Sequence, residues 1–327
     1  MWYENILQAI GRTPLVRLNQ VTEGLEATVL AKLEFMNPGG SAKDRIALAM
    51  IEEAERRGRL VPGGTVVEST SGNTGMGLAM VSAVKGYRSV FSIPDKMSQE
   101  KIDALRAFGA HTVVTPTKVS ADDPRSYYSV ARRMAEEKPD ALYIDQLNNP
   151  ANTDAHYRTT GPEIWEQTEG KITHFVAGVG TGGTVSGIAK YLKEVSPSVK
   201  VIAADPHGSV YYHYFKTGKF PEAHSYFVEG VGEDILCRNV HFEYIDDVIQ
   251  FSDKEAFLMT RRLAREEGIF AGGSSGAAVH VALQAARDLG PQDVVVVVLP
   301  DGGAKYLSKI YNDRWMREHG FLEGGIE

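Results

Sequence analysis

His174-Phe175-Val176-Ala177-Gly178-Val179 is an apolar run that leads into Gly180-Thr181-Gly182-Gly183-Thr184 and then into Val185 to Glu194, which has helical spacing. A second short apolar run, Lys200 to Ala204, follows. Strand, glycine turn, helix and strand in that order make a βαβ unit, and two strands joined through a helix pair in parallel. The alternation extends both ways. Ala27 to Phe35, Thr65 to Glu68, Ser89 to Ile93, His111 to Thr115 and Leu142 to Ile144 read as strands. Between them Ile46 to Arg57, Met76 to Lys85, Ser98 to Phe108 and Tyr127 to Glu137 read as helices. Further on, Lys254 to Glu267 and Ala277 to Asp288 are helical and precede Val294 to Leu299, five valines and a leucine. Such a run suits a strand buried on both faces at the centre of a sheet. The fold class is α/β, with parallel sheets covered by helices.

The chain of 327 residues is long enough for two domains or one large α/β unit. A net charge of −7 argues against nucleic acid or an anionic membrane as the main partner. The single cysteine, Cys237, excludes an internal disulfide and a cysteine-rich zinc site, which fits a reducing cytoplasm, and no metal is expected. Glu4 stands early and no apolar signal-peptide core follows it. The longest purely aliphatic run, Val294 to Leu299, is too short to span a bilayer.

Ligands of parallel α/β sheets bind at the carboxyl ends of strands, so the loops there carry the functional reading. In Gly180 to Thr184, glycines let backbone N–H groups approach a phosphate, and the helix start favours the anion. The same stretch also reads Gly178-x-Gly180-x-x-Gly183, a dinucleotide fingerprint, with Asp205 at the end of the next strand where a ribose-binding acid would stand. A nicotinamide-binding oxidoreductase therefore stays open at this point. Thr70-Ser71-Gly72-Asn73-Thr74-Gly75 offers hydroxyls, an amide and N–H groups at a helix start, suited to a carboxylate. Gly272-Gly273-Ser274-Ser275-Gly276 and Gly230-Val231-Gly232 are two further glycine loops.

Asn37-Pro38-Gly39-Gly40-Ser41-Ala42-Lys43-Asp44-Arg45 places a lysine at another strand-to-helix turn. Ser41 reads as the N-cap, with Lys43 in the first helical turn. The helix dipole disfavours a cation there, so the lysine leans towards the neutral amine that condenses with aldehydes. A solvated lysine on a βα turn is the plain alternative. Taken together, a phosphate cup, such a lysine and a carboxylate loop fit pyridoxal 5′-phosphate and an amino acid.

Along essentially its whole length, the chain resembles the β-family, or fold type II, of pyridoxal-phosphate enzymes. The resemblance is carried by the lysine, Thr70 to Gly75, Gly180 to Thr184 and Gly272 to Gly276 loops, with Ile10-Gly11-Arg12-Thr13-Pro14-Leu15 as the opening. Pro94-Asp95-Lys96-Met97-Ser98, Asp145-Gln146, Val228 to Gly232 and Asn312 to Met316 are similar to the cystathionine β-synthase branch. Asn149-Pro150-Ala151-Asn152 and Thr160 to Trp165 are similar to the O-acetylserine sulfhydrylases. Leu147 departs from both, since the first branch typically has Tyr there and the second Phe.

The resemblance implies two three-layer α/β/α domains with mostly parallel sheets: a large one of residues 1–45 plus 150–327, and a smaller mobile one of residues 46–149 that closes on the substrate. It implies that Lys43 carries the cofactor as a Schiff base and acts as the catalytic base, and that Asn73 bonds the 3′-oxygen. Gly180, Thr181, Gly182, Gly183 and Thr184 hold the phosphate, and Ser274 faces the pyridine nitrogen. Thr70, Ser71, Gly72, Thr74 and Gln146 bind the substrate, and Gly230, Val231 and Gly232 line the thiol entrance. The implied reaction is β-replacement on serine or O-acetylserine by homocysteine, through an aminoacrylate, giving cystathionine. Cysteine synthesis from O-acetylserine and sulfide is the alternative. A homodimer without haem or an S-adenosylmethionine-binding regulatory domain is expected.

Overall fold

The computed structural model describes residues 2–323 except 71, 96, 98, 121 and 122, and omits the side chain of Glu100. Among the described residues the strands are β1 (Leu15–Arg17), β2 (Thr28–Leu33), β3 (Thr65–Ser69), β4 (Arg88–Pro94), β5 (His111–Thr115), β6 (Ala141–Tyr143), β7 (His174–Gly178), β8 (Lys200–Pro206), β9 (Asp247–Phe251) and β10 (Val294–Leu299). The helices are α1 (Lys43–Arg56), α2 (Asn73–Lys85), α3 (Gln99–Ala107), α4 (Tyr127–Glu136), α5 (Pro150–Arg158), α6 (Thr160–Gln167), α7 (Gly183–Val195), α8 (Tyr211–Thr217), α9 (Asp253–Glu266), α10 (Gly273–Ala285) and α11 (Asp313–Glu318). The chain divides into two compact units: Met1–Gly11 with Asn37–Ala155, and Arg12–Met36 with His156–Glu327.

The first unit is built on a four-stranded sheet in the order β5-β4-β3-β6, parallel throughout. Every residue of β3 is buried, as befits a central strand. Residues 37–45 group with this unit because α1 drives Ile46, Ala47, Met50, Ile51 and Ala54 into one core with Leu78 and Ala79 of α2 and Phe91 and Ile93 of β4. Gly77 permits the close approach of the two helices, since a Cβ there would lie 2.9 Å from Ala47 Cβ and 3.0 Å from the Lys43 carbonyl oxygen.

The second unit holds a six-stranded sheet in the order β1-β2-β10-β7-β8-β9, parallel except for the edge pair β1 and β2. The valine run of β10 lies at its interior, paired with β2 on one side and β7 on the other. Its side chains alternate between two cores. Val295, Val297 and Leu299 pack with Phe257 and Leu263 of α9 and Val279 and Val281 of α10. Val296 and Val298 pack with Ile164 of α6 and Ile188 and Leu192 of α7. The strand is buried on both faces, as the uninterrupted valines predict. A buried ammonium also stitches this unit: Lys32 Nζ donates to the Thr13 carbonyl (2.8 Å), Glu163 Oε2 (2.7 Å) and Gln167 Oε1 (2.9 Å).

Candidate active site

In the first unit, the turn before Lys43 is fixed by its own side chains. Asn37 Oδ1 accepts the Gly11 N–H (2.8 Å), and the Asn37 carbonyl accepts the Gly40 N–H at a left-handed φ of 80°. The fully buried Asp44 takes the Gly39 N–H, and a Cβ on Gly39 would lie 2.9 Å from the Asp44 carboxyl carbon. Lys43 opens α1 in the first turn, as expected, but the cap position falls to Ala42 rather than Ser41. The serine still serves the helix start, because its Oγ accepts the Lys43 N–H at 3.2 Å. Lys43 and Asn73 thus head two helices whose opening turns pack on each other across Gly77.

The loop at the end of β3 is organised by Thr70. Its Oγ1 accepts the N–H groups of Gly72 (3.2 Å) and Gly75 (3.1 Å), and a hydroxyl used in this way keeps its own proton to donate. A Cβ on Gly75 would sit 2.7 Å from Thr70 Cγ2, so the motif needs glycine at that position. Thr74 Oγ1 donates to Gln146 Oε1 at 2.5 Å, which joins this loop to the one after β6. The structure therefore brings Thr70, Gly72, Thr74 and Gln146 together at the start of α2, an arrangement suited to a carboxylate. Ser71 lies outside the described residues.

In the second unit, Gly180 to Thr184 turns from β7 into α7. Gly182 has φ 88°, and a Cβ on it would lie 2.6 Å from the Val240 nitrogen and 2.7 Å from the Asn239 carbonyl carbon. Only glycine fits there on both counts. The Gly180 carbonyl accepts from the hydroxyl of Tyr211, a side chain that is fully buried. Thr184 Oγ1 lies 3.1 Å from His156 Nε2, and His156 Nδ1 lies 2.8 Å from Thr160 Oγ1. The N–H groups at this helix start, in a loop held closed by Asn239 and Val240, suit a phosphate monoester, so the residues present fit that part of the cofactor. The Gly230 loop lies alongside: Gly232 donates to the Val179 carbonyl (2.7 Å), and a Cβ on Gly180 would be 3.2 Å from the Gly230 oxygen.

The two residues that suggested a dinucleotide site have structural work instead. Gly178, the first glycine of the dinucleotide fingerprint, makes room for Val231, whose Cγ2 would be 2.9 Å from an added Cβ. Asp205, the expected ribose acid, is fully buried and takes the Tyr212 N–H at the start of α8 (2.9 Å). Burial raises it to about 6 against the bonds from Ser209 and Tyr212. Neither observation supports a nicotinamide cofactor.

Ser274 is buried in the first turn of α10, behind Gly272 at the cap. A Cβ on Gly276 would come within 2.5 Å of the Thr260 nitrogen, so the closing glycine of that loop lets α10 press on α9. Among the described residues no group of His, Cys, Asp and Glu could hold a metal ion, and no helix is long and apolar enough to cross a membrane.

Sequence reasoning passed over His156, Tyr211 and Glu68. His156 stands four residues before Thr160 on consecutive helices, but the spacing that matters is to Thr184, which only the fold reveals. Tyr211 stands in an aromatic stretch with Tyr212 and Tyr214 that gives no local sign of its bond to the Gly180 carbonyl. Glu68 reads as an ordinary strand residue, yet its carboxyl is fully buried.

A model of the family described as "Pyridoxal-phosphate dependent enzyme" matches residues 6–301. The cystathionine β-synthase of Apis mellifera is 47% identical over 321 residues, 98% of this chain and 63% of that protein. The chain spans somewhat under two thirds of the length of that relative. A cysteine synthase of Staphylococcus aureus is 46% identical over 308 residues, 93% of this chain and 96% of its own length. Among solved structures, an O-acetylserine dependent cystathionine β-synthase from Helicobacter pylori superposes with a TM-score of 0.87 at 36% identity, covering 95% of this chain and all of that one.

Proposed function

We propose, from the premise that the chain belongs to the fold type II pyridoxal-phosphate-dependent enzymes, that it catalyses β-replacement on serine or O-acetylserine with homocysteine, forming cystathionine. The observation that carries the reading is the carboxylate loop, in which Thr70 holds the N–H groups of Gly72 and Gly75 and Thr74 is tied to Gln146 at the start of α2, one helix on from Lys43. Bound pyridoxal phosphate supplies an electron sink that acidifies the α-carbon of an amino acid. The remaining work belongs to the chain. Gly180 to Thr184 bind the phosphate, and Asn73 bonds the 3′-oxygen. Ser274 offers the ring nitrogen a neutral hydroxyl, which tempers the sink. Thr70, Ser71, Gly72, Thr74 and Gln146 hold the carboxylate. Lys43 anchors the cofactor and, once displaced, its amine takes the α-proton and returns a proton to the departing β-oxygen. Gly230, Val231 and Gly232 receive the thiol.

Similarity to cystathionine β-synthases over 98% of the chain supports homocysteine as the acceptor. The S. aureus cysteine synthase, at nearly equal identity, supports sulfide with O-acetylserine as a second reading. We also propose a cytoplasmic homodimer; the single cysteine, buried and outside any disulfide, is consistent with the reducing compartment. Holoenzyme given serine or O-acetylserine with homocysteine or sulfide, and products weighed by mass spectrometry, tests the assignment. Cystathionine is the expected product; cysteine alone would establish the second reading, and no product from any pair would overturn both.

A further inference from the structure

Glu68 is the one carboxylate of β3, and its side chain is fully shut off from solvent. A carboxyl in such a place is costly unless its bonds are needed. The bonds it makes lie where the sheet stops. The parallel ladder between β3 and β6 runs Thr65 with Ala141, Val66 with Leu142 and Val67 with Tyr143, and the Ile144 N–H closes it on the Val67 carbonyl. The chain then turns at Asp145, whose φ of 56° is left-handed. Beyond that turn, the Gln146 N–H goes to Glu68 Oε2 at 3.0 Å. The other carboxyl oxygen takes the Ser69 N–H at 2.8 Å, and Ser69 Oγ is 2.9 Å from the Tyr143 hydroxyl. One side chain therefore continues the pairing of two strands past the end of their backbone ladder.

The two segments so joined are those that carry the carboxylate-binding groups. From Ser69 the chain passes to Thr70, which shapes the loop through Gly72 and Gly75, and Thr74 reaches across to the Gln146 side chain. On the far side, Asn152 Nδ2 donates to the Gln146 carbonyl at 2.8 Å. Glu68, Gln146, Thr74 and Thr70 close a ring of covalent and hydrogen bonds around the start of α2. We propose that Glu68 is a positioning residue for the amino-acid substrate, fixing Gln146 against the Thr70 to Gly75 loop so that the carboxylate meets a preformed site. This rests on the functional reading above, in which that loop receives a carboxylate. The charge state agrees with it: burial, with a smaller push from Asp145, raises Glu68 to about 8 against the bonds from Gln146 and Ser69. A neutral acid beside the loop does not repel an incoming carboxylate.

The test uses holoenzyme and separates substrate binding from everything else. Glu68→Leu keeps the volume apolar and removes the acceptor, while Glu68→Gln keeps an acceptor oxygen. Leaving a buried N–H without its acceptor weakens the site by about 10-fold, the lower end of what such a loss costs. Glu68→Leu should raise KM for L-serine and O-acetyl-L-serine by that factor, with cofactor affinity and KM for the thiol within about twofold of native. Glu68→Gln should recover most of the loss. In a Gln146→Ala background, Glu68→Leu should add less than twofold, because its route to the substrate is already gone.

A native donor KM in Glu68→Leu, or an undiminished effect in the Gln146→Ala background, would overturn the proposal. So would a parallel fall in donor, thiol and cofactor affinity, which is the mark of a merely structural residue. Should Glu68→Leu not fold, hydrogen exchange on native holoenzyme gives the answer without a variant. The Gln146 amide should be protected, and more so with L-serine bound; exchange at the free rate, or protection indifferent to serine, would overturn it. A native holoenzyme that binds no amino acid at all removes the functional reading and this one together, whereas an unaffected variant of a serine-binding enzyme removes this one alone.

Discussion

Replacing Gly182 by alanine isolates the phosphate cup from the rest of the protein, because the structure contains its own control. Gly182 and Gly218 both lie in the left-handed region, at φ 88° and 68°. Alanine in that region costs about 1–2 kcal/mol at either site. At Gly218 that is the whole effect, since a Cβ there meets nothing within 4 Å. At Gly182 the new carbon would stand 2.6 Å from the Val240 nitrogen and 2.7 Å from the Asn239 carbonyl carbon, backbone atoms that no rotamer change can move aside. Ordinary contact between carbon atoms begins near roughly 3.5 Å, so the cup must open by about 1 Å. A hydrogen bond cannot stretch that far, and a bond to a charged group is worth about 1.5–3 kcal/mol. Cofactor affinity should therefore fall by about 10- to 100-fold in Gly182→Ala, at ~1.4 kcal/mol per decade, and stay native in Gly218→Ala. Titration of apoprotein with pyridoxal phosphate measures this, with melting temperatures of the apoproteins alongside. If Gly182→Ala bound the cofactor within threefold of native, or Gly218→Ala weakened it equally, the assignment of this loop to the phosphate would be wrong.

Lys43→Ala should lose the cofactor's visible absorbance and reduce turnover by at least ~100-fold, the range of general acid–base catalysis; steady-state rates with cystathionine as readout check it. Glu163→Ala withdraws the counter-charge from the buried Lys32 ammonium and should destabilise the protein by about 3 kcal/mol in urea unfolding. An unchanged midpoint would mean the ammonium finds water or another acceptor. Asp205, raised to about 6 by burial, holds its proton longer folded than unfolded, so its stabilising contribution falls as pH rises from about 4 to 6. Asp205→Asn should then gain up to about 3 kcal/mol over native at pH 7 and little at pH 4; equal differences at both pH values would refute the shift.

The central features of the fold were readable because they repeat. Val294 to Leu299 has no polar interruption, and it proved to be the strand that feeds both cores of the second unit. Strands such as His111–Thr115 were bounded correctly since glycine and apolar spacing mark their ends. Six pieces of three to nine residues escaped, β1, β9, α5, α6, α8 and α11, because none is long enough to show a sustained period. The loops announced themselves through glycine, which is needed where a Cβ would crowd its neighbours, the Thr70 side chain at Gly75 and the Asn239 and Val240 backbone at Gly182. The same rule misled at Gly178, where what an added Cβ would meet is the Val231 side chain. Glu68 and His156 could not be found by local pattern, because their partners, Gln146 and Thr184, are distant in sequence.

The strand order of the larger sheet also sets a timetable. β2 forms near the beginning of the chain, yet its parallel neighbour is β10, close to the other end. Until residues 294–299 leave the ribosome, β2 has only the three-residue β1 beside it and β7 lacks its partner on that side. The first unit, mostly the unbroken stretch Asn37–Ala155, has all its strands in hand much earlier. Folding during synthesis should therefore complete the carboxylate loop while the phosphate cup still waits on a sheet with an open seam. Chains cut short before β10 should aggregate through that seam.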